Sequence, residues 1–247
     1  MLRVERHTPS VVSITIDRPQ RRNAVDVPTL AALSETIDAL DPTTDRVVVL
    51  SGSPPAFCAG ADLTGVTSEE FHDHLSRVLR AMAGASIPII AAVDGPALGA
   101  GTQLVAVCDL RIASRSSVFG IPAARLGLAV DQWTVDRVVD EFGMGLARSM
   151  LIAAEQVDAT VAYSAGVVHR LGESGAIVHD AHVWAEEIAQ LAPLSIRTHR
   201  EMLRATTRGS TTDVDTAALR DEVWASADAD EGRAAFLEKR PARFTGR

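Results

Sequence analysis

The sequence predicts an α/β protein built as a coiled stack of strand–turn–helix units. Three observations carry this reading. Short apolar runs rich in β-branched residues alternate with helical spacing through the first half of the chain. Two of those runs end at a glycine and lead into similar segments, "PAFCAGADL" (Pro55 to Leu63) and "PALGAGTQL" (Pro96 to Leu104). They align ungapped, about 41 residues apart, which is a repeat-like period. From about Asp131 onward the pattern turns helical almost without interruption. Matching units in sequence favour a stack of units over a doubly wound sheet.

The elements follow in order. "VVSITI" and "RVVVLSG" read as short buried strands. Between them Leu30, Leu33, Ile37 and Leu40 fall at helical spacing, with Asp26 as the N-cap. "IPIIAAVDG" is a third buried strand, and "TQLVAVCD" a wholly buried helix. "LRIAS" returns as a strand and "SVFG" begins another. The end, "EKRPARFTGR", is a charged tail with one proline break. No long linker or low-complexity tract divides the chain.

Composition excludes several functions. The 247 residues are 47% hydrophobic, enough for a sizeable core, and carry a formal net charge of −8. The acidic balance and the lack of a basic stripe argue against nucleic-acid binding. No apolar run reaches the roughly 20 residues that span a bilayer. "MLRVERHTPS" is too charged for a signal peptide, so a cytoplasmic protein with no transmembrane segment is expected. Cys58 and Cys108 are too few for a disulfide framework. Arginine supplies nearly all the cations, Lys239 being the only lysine.

Motifs narrow the chemistry further. "GAG" lacks the third glycine of a dinucleotide fingerprint, since Leu104 stands there. There is no Gly-Lys-Ser/Thr and no Gly-x-Ser-x-Gly. His72 and His74 do not share a helix face. His179 and His182 do, but lack a carboxylate partner for a metal and read as exposed helix histidines. No metal is expected. The two Gly-rich turns remain. Backbone N–H groups of such turns, brought together by stacking, suit an oxygen that gains negative charge, as when a thioester becomes an enolate. Ala59, Gly60, Ala61, Gly99, Ala100 and Gly101 are small enough to let a substrate reach the backbone.

"RPQRRNAVD", "VVVLSGSPPAFCAGADL", "DGPALGAGTQLVAVCDLRIAS" and "FGIPAARLGL" together resemble the enoyl-CoA hydratase/isomerase (crotonase) superfamily. The resemblance implies a crotonase-like spiral of ββα repeats with a C-terminal helical region. Residues 1–190 would form the spiral core with an acyl-CoA site, and 191–247 the helical oligomerisation region of a homo-trimer or a dimer of trimers. It implies an acyl-CoA thioester as ligand, with coenzyme A as part of that ligand and no separate cofactor. By position the N–H groups of Ala61 and Ala100 form an oxyanion hole. Arg22 and Ala24 match the segment along the nucleotide end of CoA, where Arg21 and Arg22 supply cations for phosphate. Ala59, Asp62, Leu63 and Thr64 match the adenine and pantetheine wall. Lys239 matches a tail position that reaches a neighbour's CoA.

Departures from the family pattern bear on the reaction. A hydratase of this family uses two glutamates to activate water and deliver a proton. Gln103 stands at the first position. Ala123, after Pro122, stands at the second. Asp131 in "GLAVDQW" falls where some relatives place an acid, base or nucleophile, and also suits the N-cap of a helix beginning near Trp133. Trp133 walls the acyl pocket or belongs to the core. "GAGTQL", "GLAVDQW" and "EKRPARF" further resemble a mycobacterial subgroup that binds long acyl-CoA without hydrating it and supports mycolic-acid metabolism. This implies an acyl-CoA-binding protein with partners in lipid synthesis. The alternative is a CoA-thioester isomerase or other enolate-chemistry enzyme using Asp131. A hydratase with a recruited acid such as Glu141 is a third reading.

Overall fold

The computed structural model describes residues 1–62, 64, 68–207 and 215–247. Strands β1 (Leu2–Thr8) and β2 (Val11–Ile16) form an antiparallel hairpin. β1, unread in the sequence, is a sheet edge with exposed charges at Arg3 and Glu5, which discourage further pairing. A 3₁₀ turn, Pro19–Arg21, leads to α1 (Val27–Asp38). Asp26 caps that helix by accepting the Thr29 N–H at 3.0 Å. Leu30, Leu33 and Ile37 are buried on one face, as their spacing predicts.

β3 (Val47–Gly52), α2 (Ser68–Gly84), β4 (Ile89–Val93), β5 (Ala97–Leu98), α3 (Ala100–Ala106) and β6 (Leu110–Ser114) follow. β7 (Val118–Gly120) and a 3₁₀ turn, Pro122–Leu126, precede α4 (Gln132–Ile152), which breaks its helical geometry at Gly143. Then come β8 (Val157–Asp158), α5 (Ala159–Ser164), β9 (Arg170–Gly172), α6 (Ile177–Ala189), α7 (Pro193–Ala205), α8 (Thr216–Trp224) and α9 (Ala227–Glu238). The expectation of almost uninterrupted helix after Asp131 passes over two short strands, β8 and β9. Two or three residues are too few to show a period, and both strands exist because an open sheet edge is there to receive them.

The main sheet runs β1-β2-β3-β4-β6-β9, parallel after the first hairpin. The order never reverses, so the fold has the one-directional winding of a spiral, without the switch point of a doubly wound sheet. β5, β7 and β8 make a second, smaller sheet. Both faces of the main sheet are covered, which is why its strands read as continuous apolar runs. Val12, Ile14, Val48, Leu50, Ile89 and Ala91 join the core shared with α1, α2 and α3. Val11, Val47, Val49, Ile90 and Ile112 face Ile177, Ala181 and Ala185 of α6. Full burial of one such aliphatic side chain contributes about 1.5–3 kcal/mol.

Candidate functional site

The two Gly-rich turns meet, but not in the register of the sequence repeat. In the strands, Val48 faces Ile89 and Ser51 faces Ala92, partners 41 residues apart as the repeat implies. In the turns the offset falls to 39, since Cys58 bridges Ala97. The Cys58 N–H donates to Pro96 O at 3.1 Å and the Leu98 N–H to Cys58 O at 2.9 Å. Gly60 therefore lies against Gly99, not against Gly101, its counterpart in the alignment. A Cβ on Gly99 would sit 3.6 Å from the Gly60 Cα, and one on Gly60 only 3.2 Å from Leu98 O. Both glycines hold positive φ, +117° and +54°, a region that L side chains avoid. Gly101 is required for space, since a Cβ there would lie 2.3 Å from Cys58 O.

The peptides after Gly60 and Gly99 carry the N–H groups of Ala61 and Ala100. Val25 engages both neighbours of Ala61: its N–H donates to Gly60 O and its C=O accepts from Asp62 N, each at 2.8 Å. Ala61 thus turns its own N–H away from Val25. Ala100 opens α3, ahead of the helical hydrogen-bond ladder. Neither N–H has a backbone acceptor among the described residues. The first copy of the repeat does not run straight into a helix as the second does. Its backbone is held in the Val25 bridge, and neither Asp62 nor Thr64 is helical.

The segment carrying Arg21, Arg22 and Ala24 is fastened beside this junction. The Ala59 N–H donates to Arg22 O at 3.0 Å. Asn23, which sequence reading passed over, is the bolt. It is fully buried, its Nδ2 donates to Ser53 O and Ala56 O at 2.6 Å each, and its Oδ1 accepts the Arg18 N–H at 2.9 Å. Arg18 was also missed. Its guanidinium pairs with Asp26 and Asp62, both at 2.9 Å, and donates to Ala24 O. The Thr64 hydroxyl, opposed in part by burial and helped by Arg18, holds the Asp62 carboxyl below the usual range. Arg21 and Arg22 remain exposed. The one available signal was Asn23 itself, a residue type enriched at positive φ, here 58°.

Gln103 and Asp131 are joined through Thr134. Gln103 projects from buried α3, and the Thr134 hydroxyl donates to its Oε1 at 3.4 Å. Asp131 N-caps α4, its Oδ1 accepting the Thr134 N–H at 2.8 Å, and its residue surface is exposed. Pro122 and Ala123 open the 3₁₀ turn after β7, with Ala123 packed on the main core. Trp133 packs on the same core, with the guanidinium carbons of Arg80 and Arg137 at 4.9 and 5.8 Å from its ring centre. Glu141 pairs with buried Arg111 at 2.6 Å, which commits its carboxylate to an ion pair. Arg111 also donates to Cys108 O and Val105 O at the end of α3.

Lys239 caps α9 and is exposed; no hydrogen bond or ion pair of the described residues joins it to the Arg21–Ala24 segment. Leu63 lies outside the described residues. Cys58 and Cys108 are free and buried, and burial pushes the Cys58 thiol up to about 12. His179 is exposed as expected, but His182 is not. It stacks on His7 at 3.9 Å and approaches the Ser13 hydroxyl at 3.1 Å. Burial, then the neighbouring His7, pushes it down to about 4. Helical spacing could not foresee β1 crossing beside α6. Among the described residues no His/Cys/Asp/Glu cluster could hold a metal, and no helix is long and apolar enough to cross a membrane.

Comparison with known proteins agrees with this architecture. The enoyl-CoA hydratase/isomerase family profile matches residues 6–247. A Mycobacterium bovis protein named "Probable enoyl-CoA hydratase echA6" is 38% identical over 240 residues, covering 96% of each chain. The crotonyl-CoA hydratase of Syntrophomonas wolfei is 30% identical over 242 residues, covering 93% of this chain and 92% of the relative. The crystal structure of an enoyl-CoA hydratase from Bacillus anthracis superposes with a TM-score of 0.88 at 28% identity, covering 100% of this chain and 99% of the other. With the spiral sheet and the paired glycine turns, these matches place the chain in the enoyl-CoA hydratase/isomerase (crotonase) family.

Proposed function

We propose that this protein binds an acyl-CoA thioester, polarises its carbonyl with the Ala61 and Ala100 N–H groups, and does not hydrate it. One observation carries the proposal. The Gly60 and Gly99 turns that present those N–H groups are in contact, while Gln103, on the helix that Gly99 opens, and Ala123, in the turn after β7, carry no proton donor or base of the kind hydration needs. Binding and carbonyl polarisation are kept, and general acid–base chemistry is removed. Arg22, Ala24, Ala59, Asp62 and Thr64 lie together along one side and would take the nucleotide and pantetheine of CoA. The ligand then brings its own coenzyme, and the protein's part is to carry or present the acyl group in lipid metabolism. The hydratase names of the relatives support the ligand class.

Titration of a long-chain acyl-CoA tests this reading. Saturable binding is expected, weakening with salt because phosphates meet exposed Arg21 and Arg22. Arg21→Ala with Arg22→Ala is expected to lower affinity while leaving the melting curve unchanged. Identical isotherms would remove both arginines from the site.

Asp131 acts in this proposal as a helix cap. The wild type bound to acyl-CoA in heavy water is expected to show no deuterium uptake on the acyl chain by mass spectrometry. Asp131→Asn should cost about 1 kcal/mol or less of stability, since Asn also caps. Acyl exchange that vanishes in Asp131→Asn would establish the enolate-chemistry alternative instead.

Assembly as a homo-trimer or dimer of trimers through residues 191–247 belongs to the same proposal. Trp224, Phe236 and Leu237 are 68%, 82% and 79% exposed in α8 and α9. Large apolar side chains grouped at a surface mark association. Phe236→Asp with Leu237→Asp is expected to yield smaller species in sedimentation velocity. Unchanged mass would exclude the end of α9 from the interface.

A further inference from the structure

The pairing of Gln103 with Thr134 bears on which acyl thioesters fit, and it rests on the acyl-CoA reading above. Residues 100 and 103 are three apart in α3, so they share a face with Cβ atoms about 5–6 Å apart. Helical side chains lean toward the helix N-terminus. The Gln103 amide therefore reaches back over the turn that carries the Ala100 N–H. A carbonyl oxygen held by that N–H brings the next carbons of the acyl chain within range of the amide.

Thr134 determines what the amide offers. Its residue is 4% exposed, and its hydroxyl proton has one acceptor among the described residues, Gln103 Oε1. The reversed amide would leave that buried proton without an acceptor, which is costly. Gln103 thus commits its oxygen to Thr134 and keeps its Nε2 hydrogens, which have no acceptor among the described residues. Ala123 contributes neither donor nor acceptor through its side chain.

We infer that the site selects acyl-CoA thioesters bearing a ketone oxygen at C3, with Gln103 Nε2 donating to that oxygen and Thr134 as the positioning residue. A ketone only accepts, which matches an amide that presents its N–H side. A 3-hydroxyl also carries a proton in need of an acceptor, and the Gln103 oxygen is turned toward Thr134. A saturated chain would desolvate the amide without replacing its water.

Calorimetric titrations with hexadecanoyl-, 3-hydroxyhexadecanoyl- and 3-oxohexadecanoyl-CoA test this. The wild type is expected to bind the 3-oxo ligand about tenfold more tightly than the saturated one, the effect of one hydrogen bond. Thr134→Val and Gln103→Leu should each abolish that ratio while still binding hexadecanoyl-CoA, Gln103→Leu more tightly than the wild type because no amide is desolvated, which also shows that the variants fold. Thr134→Ser should keep the ratio, which a purely structural role for the hydroxyl would not require. Gln103→Leu decides the matter alone if Thr134→Val fails to fold. Equal wild-type affinities, or preference for the 3-hydroxy ligand, would overturn the inference and leave acyl-CoA binding standing. A 3-oxo preference that survives in Thr134→Val would remove Thr134 from it. Binding of none of the three would overturn the acyl-CoA reading itself.

Discussion

Crotonyl-CoA mixed with this protein is expected to hydrate at the buffer background rate, and the Gln103→Glu, Ala123→Glu double variant to hydrate it measurably faster. The reason is the proton inventory. Adding water across a double bond requires a group to take a proton from water and one to give a proton to the adjacent carbon. An amide and a methyl group can do neither. A positioned general acid or base is typically worth about 10²- to 10⁴-fold in rate, so the missing pair removes most of the acceleration. The two glycine turns remain in place, held by Gly60, Gly99 and the Cys58 ladder, and with them the N–H groups proposed to hold the carbonyl. A carboxylate introduced at position 103 would inherit the Thr134 hydroxyl that now donates to Gln103 Oε1, so its orientation is supplied in advance. A spectrophotometric assay of thioester-conjugated absorbance reads the outcome. Fast turnover by the unmodified protein would sink the non-hydrating reading.

The second large effect is expected from Asn23→Ala. Alanine would strand the Ser53 and Ala56 carbonyls and the Arg18 N–H, all now satisfied by one buried side chain. A buried group left without a partner costs about 1–3 kcal/mol, and with the Ala56 carbonyl buried and the other two groups partly so, a total loss of about 3 kcal/mol is expected. The left-handed φ of 58° adds strain for alanine that asparagine tolerates. For a chain of this size that corresponds to a fall in Tm of roughly 6–12 °C. Affinity for acyl-CoA should fall as well, because Asn23 fixes the backbone of Arg22 and Ala24 beside Ala59. A Tm within about 2 °C of wild type, less than one unsatisfied group would cause, would deny Asn23 this role.

Much of the fold was legible because it rests on short-range rules. The β-branched runs at Val11–Ile16 and Val47–Gly52 became strands, Asp26 became a cap, and Leu30, Leu33 and Ile37 found one face. The 41-residue repeat became the β3–β4 register. Strands β1, β8 and β9 were not legible. β1 carries no buried face, and the other two are shorter than any period and are defined by the edge that receives them.

The sequence by itself determined the family, the small residues at the two turns, and the amide and methyl side chains at positions 103 and 123, since each is a matter of which residue type stands in a motif. Tertiary structure alone decided which residues meet. The repeat aligns Gly60 with Gly101, yet the backbone in the turns slips by two residues and seats Gly60 on Gly99. Gln103 reads as one neutral side chain of a buried helix until Thr134, thirty-one residues on, donates to its oxygen. Glu141 reads as a spare carboxylate until Arg111, thirty residues earlier, closes on it. Each of these meetings joins segments far apart in the chain, and it exists only once packing has brought donor and acceptor within hydrogen-bonding reach.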